Sequence, residues 1–258
     1  MTTMNEIPAI PEQRIYVGID DTDNLETRGT GFQARQLIER LERAQLATGV
    51  GVTRHQLLFD DRVPYTSHNS SACLAMDRQV GVGNDEIWAF CRAFLLEIAA
   101  DGSDVGLSLA TWDQAKQVSW FGQKAKVDLV QQQEARDAAA DAFIPLEGLT
   151  GDFQGIIGAL SAVGLHVDGN DGRYIWPREI RDVSEQTHSV SELLNTKGVD
   201  KITLADGSAI TNPEAVVEVG DWPRTVRIDH YAVLLVEEAN AQHNYKVLEK
   251  ASIKSIRP

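Results

Sequence analysis

Arg14-Ile15-Tyr16-Val17-Gly18-Ile19-Asp20-Asp21-Thr22-Asp23 carries the composition of a buried strand straight into three carboxylates within four residues. The β-branched and aromatic residues from Arg14 to Ile19 predict a strand, and Gly18 permits another backbone to come close. Acidic groups this near repel one another unless a cation or several donors offset them. Hard oxygen ligands at a strand end suit Mg²⁺, which takes one or two carboxylates and leaves its other positions to water and phosphate oxygens. Asp20, Asp21 and Asp23 are therefore candidate metal ligands. The competing reading of the same residues is a solvated acidic turn.

Working outward, the turn continues through Asn24 to Gly29 into a helix expected from about Thr30 to Gln45. Phe32, Leu37, Ile38 and Leu41 mark its apolar face, and Thr27 or Thr30 can cap it. Strand, acidic turn and helix start in this order put a cation site beside an anion-attracting helix end. Strands are expected at 49–59 and 71–76, on either side of a polar loop that contains His68. Asn84 caps a second helix, whose buried stripe is Ile87, Phe90, Cys91, Phe94, Leu95 and Ile98. A strand ending near Thr111 and an Ala-rich helix over 131–142 follow.

The second informative block is Glu147-Gly148-Leu149-Thr150-Gly151-Asp152-Phe153-Gln154-Gly155-Ile156-Ile157-Gly158-Ala159-Leu160. A glycine-rich loop runs here into a helix expected to end near Gly164. Such a loop lets backbone approach an anion, which makes Gly151, Asp152, Gln154, Gly155 and Gly158 candidate nucleotide contacts. Tight helix packing through Gly155, Gly158 and Ala159 is the alternative. No Gly-Lys-Ser/Thr follows, so this is not a Walker loop. After Tyr174 the chain turns to short β-rich pieces, with an Asp206-Gly207 hairpin turn and one helix near 190–195.

The expected fold class is α/β (α+β). Residues 1–13 form a loose leader, 14–178 a sheet-and-helix domain and 179–258 a smaller β-rich part. The net charge of −14 argues against broad, non-specific nucleic-acid binding and leaves room for a local basic groove or for nucleotide held through Mg²⁺. Two cysteines build neither a disulfide framework nor a zinc ribbon, and the cytoplasm is the expected compartment. No apolar run reaches membrane-spanning length. His68 can serve as acid, base or phosphate contact, or simply as a solvated loop residue. Lys124 and Lys126 beside Trp120 and Phe121 read as a basic and aromatic patch or as an amphipathic surface element. Arg54 and Arg62 are further candidates for phosphate contacts. His55 reads as a strand residue.

Several blocks together resemble the archaeal tRNA-isoleucine agmatinylcytidine synthetase family, whose members use ATP to join agmatine to an anticodon cytidine. Val17 to Asp23 is similar to the opening of its kinase-like domain. Val63 to Ala72 follows its Ile-Pro-Trp-Lys-Thr-Arg-Gly-Asn loop in outline, and Gly102 to Leu107 matches a third block. Gly155-Ile156-Ile157-Gly158-Ala159-Leu160-Ser161-Ala162-Val163-Gly164 is similar to Gly-Ile-Ile-Gly-Ala-Leu-Ala-Ala-Ile-Gly. The resemblance implies a kinase-like domain using ATP and Mg²⁺, with the metal on Asp20, Asp21 and Asp23 and a phosphate role near Gly155. It implies an acceptor that is RNA, including tRNA, or a small molecule; a homo-oligomer is compatible. Thr30 is the displaced counterpart of the family's phosphate-transfer threonine, and Asp21, Asp23, Thr30 and His68 are the catalytic candidates. Thr66 and His68 stand where the family carries Lys and Arg. The function expected is an ATP- and Mg²⁺-dependent phosphoryl or related transferase. The alternatives are a non-catalytic nucleotide- or RNA-binding module and a different metal-dependent phosphate enzyme.

Overall fold

The computed structural model describes residues 9–63, 68–184, 186–239 and 244–256. Contacts divide the chain into two compact units, residues 1–172 and 173–258.

The first unit is built on β1 (Arg14–Asp20), α1 (Thr30–Arg43), β2 (Ala47–Gln56), β3 (Ser70–Arg78), α2 (Asn84–Ile98), β4 (Gly106–Thr111), α3 (Trp112–Gln117), α4 (Ser119–Val127), α5 (Gln132–Asp141), β5 (Leu146–Gly148) and α6 (Gly155–Asp168). Its strands lie in the order β5-β4-β1-β3-β2, and each neighbouring pair is antiparallel. β1 sits in the middle and Ile15 to Ile19 are buried without alternation, as a strand covered on both faces requires.

α6 covers one face. Gly18 is what lets it approach, because a Cβ there would lie 2.0 Å from Ala159 O. The Ser108 hydroxyl donates to that same carbonyl at 2.8 Å. Twelve of the fourteen residues of α6 are buried, the mark of a helix packed all round. α3, α4 and α5 close over its far side, and a Cβ at Gly164 would meet Val118 O at 2.5 Å. α6 does not end at Gly164; it runs to Asp168 and stops at Gly169, whose φ of 85° is the left-handed C-cap conformation. α1 packs on β1, β2 and β3 through Ala34, Leu37, Ile38 and Leu41, covering the face opposite α6. Cys73 and Cys91 are both buried free thiols, and burial pushes the Cys91 thiol up to about 12.

Three local expectations are corrected. Neither threonine is the N-cap of α1: that position is Gly29. Asn84 is the first helical residue of α2 and Gly83 its N-cap, with no side-chain capping bond. The helices α3 and α4 were not expected, although Thr111 and Gln114 form a reciprocal capping box that the sequence displays.

The second unit comprises β6 (Arg173–Trp176), β7 (Gln186–Ser189), α7 (Val190–Leu194), β8 (Lys201–Leu204), β9 (Val216–Val219), β10 (Thr225–Ile228), β11 (Tyr231–Glu238), β12 (Tyr245–Val247) and α8 (Lys250–Ile256). β10 and β11 form a two-residue hairpin through Asp229 and His230, both at positive φ, as a twist-matched turn needs. β11 also pairs with β8 in parallel and with β12 antiparallel. The Asp206-Gly207 turn exists, with Gly207 at φ 90°, but the chain returns only to an isolated bridge between Thr203 and Ala209. Val190, Leu193, Ile202, Val217, Leu234 and Val236 centre this unit's own core. Among the described residues no helix is long and apolar enough to cross a membrane.

Candidate functional site

The end of β1 meets the start of α6. A Cβ at Gly158 would fall 1.8 Å from Asp20 Oδ2, so the Asp20 carboxylate occupies the space that this glycine leaves over the first turn of the helix. A Cβ at Gly155 would clash with Asp104 O at 2.2 Å and Gly106 N at 2.6 Å. The glycines therefore serve packing, and that packing is what brings helix and acidic strand end together. The Gly155 N–H donates to Asp104 O at 2.9 Å, so it is not open to an anion. Among the described residues the N–H groups of Gly151 and Gln154 show no protein acceptor, and both residues are exposed.

The three carboxylates of the acidic turn do not converge. Asp23 Oδ1 accepts from the Thr30 N–H at 2.8 Å and from the Thr30 hydroxyl at 2.9 Å, capping α1 from outside the helix. Thr30 is buried, and its oxygen accepts in turn from the Thr22 N–H at 3.2 Å. Asp21 takes the left-handed conformation, φ 52°, and its Oδ2 accepts from the Asp104 N–H at 3.0 Å. Asp104 Oδ1 reaches on to the Asp152 N–H, which ties the acidic turn to the glycine-rich loop. Asp20 is left without an ion-pair partner among the described residues. Its carboxyl is pushed up from 3.8 to about 8, first by burial, then by the charge of Asp21, with Asp23 adding to it. Burial also raises Asp21, against the hydrogen bond from Asp104.

Among the described residues no three carboxylate, imidazole or thiolate groups form a metal cage. The three aspartates thus differ in setting: Asp20 is enclosed against Gly158, while Asp21 and Asp23 hold the turn. That donor set fits Mg²⁺ in its usual protein setting, where one or two carboxylates are completed by water and phosphate. A buried, unbalanced carboxylate is what a bound cation would neutralise.

Arg54 on β2 is a cation whose charge acts on Asp20. Its Nε donates to Ser70 Oγ at 2.8 Å. Burial lowers its pKa, while the charges of Asp23 and then Asp20 act in the opposite direction. His68 is exposed two residues before Ser70; Thr66 lies outside the described residues. Arg62 is paired with Asp60 at 2.7 Å. The basic and aromatic patch does not form. Lys124 pairs with Glu134 and Lys126 with Asp171, while Trp120 is exposed and Phe121 fully buried.

A second constellation was not foreseen. His55 is buried on β2, where its Nδ1 meets Asp171 Oδ1 at 2.7 Å and its Nε2 meets Thr53 Oγ1 at 2.7 Å. Thr53 Oγ1 also contacts His166 Nδ1, at 2.8 Å, on α6. Burial raises the Asp171 pKa, but the hydrogen bond and charge of His55 and the charge of Lys126 outweigh it and hold the carboxyl below its usual range. An ionised Asp171 accepts from His55 Nδ1–H. The chain of bonds locks β2 to α4 and α6 in the interior. The signal for it, polar residues at alternate positions 53 and 55 of a strand, is present in the sequence. Its partners lie more than a hundred residues away.

No family model matches the chain. A curated relative, tRNA-isoleucine 2-agmatinylcytidine synthetase TiaS of Archaeoglobus fulgidus, is 30% identical over 159 residues, which is 60% of this chain and 36% of the relative. The crystal structure of a tRNA fluorescent labeling enzyme superposes with a TM-score of 0.53 at 29% identity, covering 58% of this chain and 36% of that one. The TiaS–tRNA–ATP complex gives 0.53 at 28% identity, covering 59% and 36%. The chain thus spans about a third of the length of the proteins it matches. Over some 60% of its length this chain is similar in sequence and fold to the tRNA-isoleucine agmatinylcytidine synthetases.

Proposed function

We propose that the first unit binds a nucleoside triphosphate with Mg²⁺ at the junction of β1 and α6, and transfers a phosphoryl or related group to an RNA or small-molecule acceptor. The observation that carries this reading is the Asp20 carboxylate, enclosed against Gly158 and paired with no cation among the described residues. Support comes from TiaS structures that hold ATP, or AMPCPP and agmatine, in proteins similar to this one over 59% of its length. Asp20 would hold Mg²⁺, which when bound offsets charge on the phosphate oxygens. Asp21 and Asp23 set the turn through Asp104 and Thr30, and either could take a proton from the acceptor. The open N–H groups of Gly151 and Gln154 would meet phosphate.

The test is a calorimetric titration of ATP with and without Mg²⁺, repeated on Asp20→Asn and Asp21→Asn. Asn at position 21 keeps an acceptor for the Asp104 N–H and tolerates positive φ. Mg²⁺-dependent binding that weakens at least about tenfold in Asp20→Asn is expected, one charge-assisted contact being lost. ATP binding indifferent to Mg²⁺ and to both substitutions overturns the reading. The capture of Arg62, Lys124 and Lys126 in ion pairs favours a second reading, a nucleotide-binding module without turnover. ATP that binds but is never consumed, with RNA and amine acceptors supplied, would select it.

A further inference from the structure

We propose that Arg54 grips the phosphate chain of the bound nucleotide, its two terminal nitrogens donating to phosphate oxygens on the side of the site away from Asp20. This deepens the function proposed above and rests on it.

The register places the side chain. Arg54 pairs with Ala72 on β3, and Ala72 pairs with Ile19 on β1. Arg54 therefore stands level with the last buried residue before the acidic turn, two strands across. Directly opposed residues of an antiparallel pair share a face, and neighbours along a strand alternate. Thr53 and His55 look toward α6, so Arg54 projects from the other face.

The bonding leaves the side chain incomplete. Nε is fixed by Ser70 Oγ at 2.8 Å, which sets the plane of the guanidinium. Among the described residues Arg54 enters no ion pair, although it is half-buried and the Asp23 and Asp20 charges reach it. A half-buried guanidinium beside two carboxylates, bonded to neither, holds an unfilled fork. The planar fork matches two oxygens of one phosphate. An enclosed carboxylate and a half-buried guanidinium that do not pair with each other are the charge pattern that a metal·phosphate pair fills. The cation goes to the carboxylate and the anion to the guanidinium. Three other cations of this unit are committed, Arg14 to Asp77, Arg40 to Glu97 and Arg92 to Glu147.

The experiment titrates AMP, ADP, ATP and tripolyphosphate, each with Mg²⁺, into the full chain and into Arg54→Gln and Arg54→Lys, with thermal melts of each. In the wild type, affinity rises along the series AMP, ADP, ATP. Arg54→Gln flattens the rise, weakening ATP by about 10- to 100-fold, the size of a charged hydrogen-bond pair. Arg54→Lys recovers part, since the charge stays and the fork is lost. Equal ATP affinity in wild type and Arg54→Gln overturns the assignment and leaves the nucleotide site standing. If ATP does not bind the wild type, the nucleotide reading fails. Tripolyphosphate then decides alone: binding lost in Arg54→Gln upholds the contact, and no binding or no difference overturns it. Should Arg54→Gln melt early, Arg54→Lys carries the test, and wild-type affinity there overturns the contact.

Discussion

A single methyl group at position 158 would take the space of the Asp20 carboxylate, since an added Cβ meets Oδ2 at 1.8 Å. Gly158→Ala should therefore displace Asp20, cost about 1–3 kcal/mol through overpacking, and lose Mg²⁺-dependent ATP binding. Thermal melts and calorimetry on the same variant check both parts. Asp20 itself makes a prediction in the opposite sense. Its folded value, about 8, lies far above its ordinary 3.8. A raised carboxyl contributes stability below about pH 4, and that contribution is lost as pH climbs toward 8. Without Mg²⁺ or nucleotide, Asp20→Asn should match the wild type near pH 4 and exceed it at pH 8. The gap should be about 1–3 kcal/mol, because the residue keeps a partial opening to solvent that screens the full shift. Urea unfolding across that range measures it, and a gap that fails to widen with pH argues against the enclosure. At this scale the acidic turn was legible because it is local: composition alone put a strand before Asp20 and a helix after Gly29. The division of roles among its three carboxylates was not legible. It depends on Asp104 and Thr30, which reach them through turns that composition does not fix.

Among the elements, α6 and β2 decide how the first unit holds together. The buried bonds from Thr53, His55 and His166 to Asp171 and Lys126 join β2 to the helices above it. Asp171→Asn leaves Lys126 charged without its ionised partner and should destabilise the chain by about 3–5 kcal/mol. Because Asp171 is held below its ordinary range, its stabilisation is complete above about pH 4 and fades as pH falls through its lowered value. The difference between wild type and variant in urea should therefore shrink in acid; a difference constant from pH 7 to pH 2 would contradict the ionised assignment. Helical periodicity made α1, α2 and α5 readable. It misled at Gly164, which looks like a terminator and in fact gives room for Val118 O against α6. The short α3 and α4 carry little periodicity; the Thr111–Gln114 capping box announces α3, and α4 has no side-chain cap.

For the molecule as a whole, charge is unevenly shared. Residues 1–172 carry 25 Asp and Glu against 13 Lys and Arg, while residues 173–258 carry 13 against 11. The unit proposed to take a polyanion is thus the more acidic one, so its phosphate contacts must be local. Hydrogen exchange with saturating Mg²⁺ and ATP should show protection near 20–30, 54, 103–105 and 149–158. Protection confined to 173–258 would move the site to the other unit. The similarity to known synthetases covers 159 residues, 60% of this chain, and the two units differ in how far the sequence could be read. In the second, strand positions were readable from alternation and turn residues. The parallel pairing of β8 with β11 and of β9 with β12 was not, since nothing local encodes it. The two cysteines of the chain have a practical consequence. Both are sealed in the interior, and the one on α2 resists ionisation to about pH 12. A cysteine introduced at the exposed Leu25, on the acidic turn, should thus take a maleimide dye alone. The native chain can then report nucleotide arrival by fluorescence without first being stripped of its own thiols.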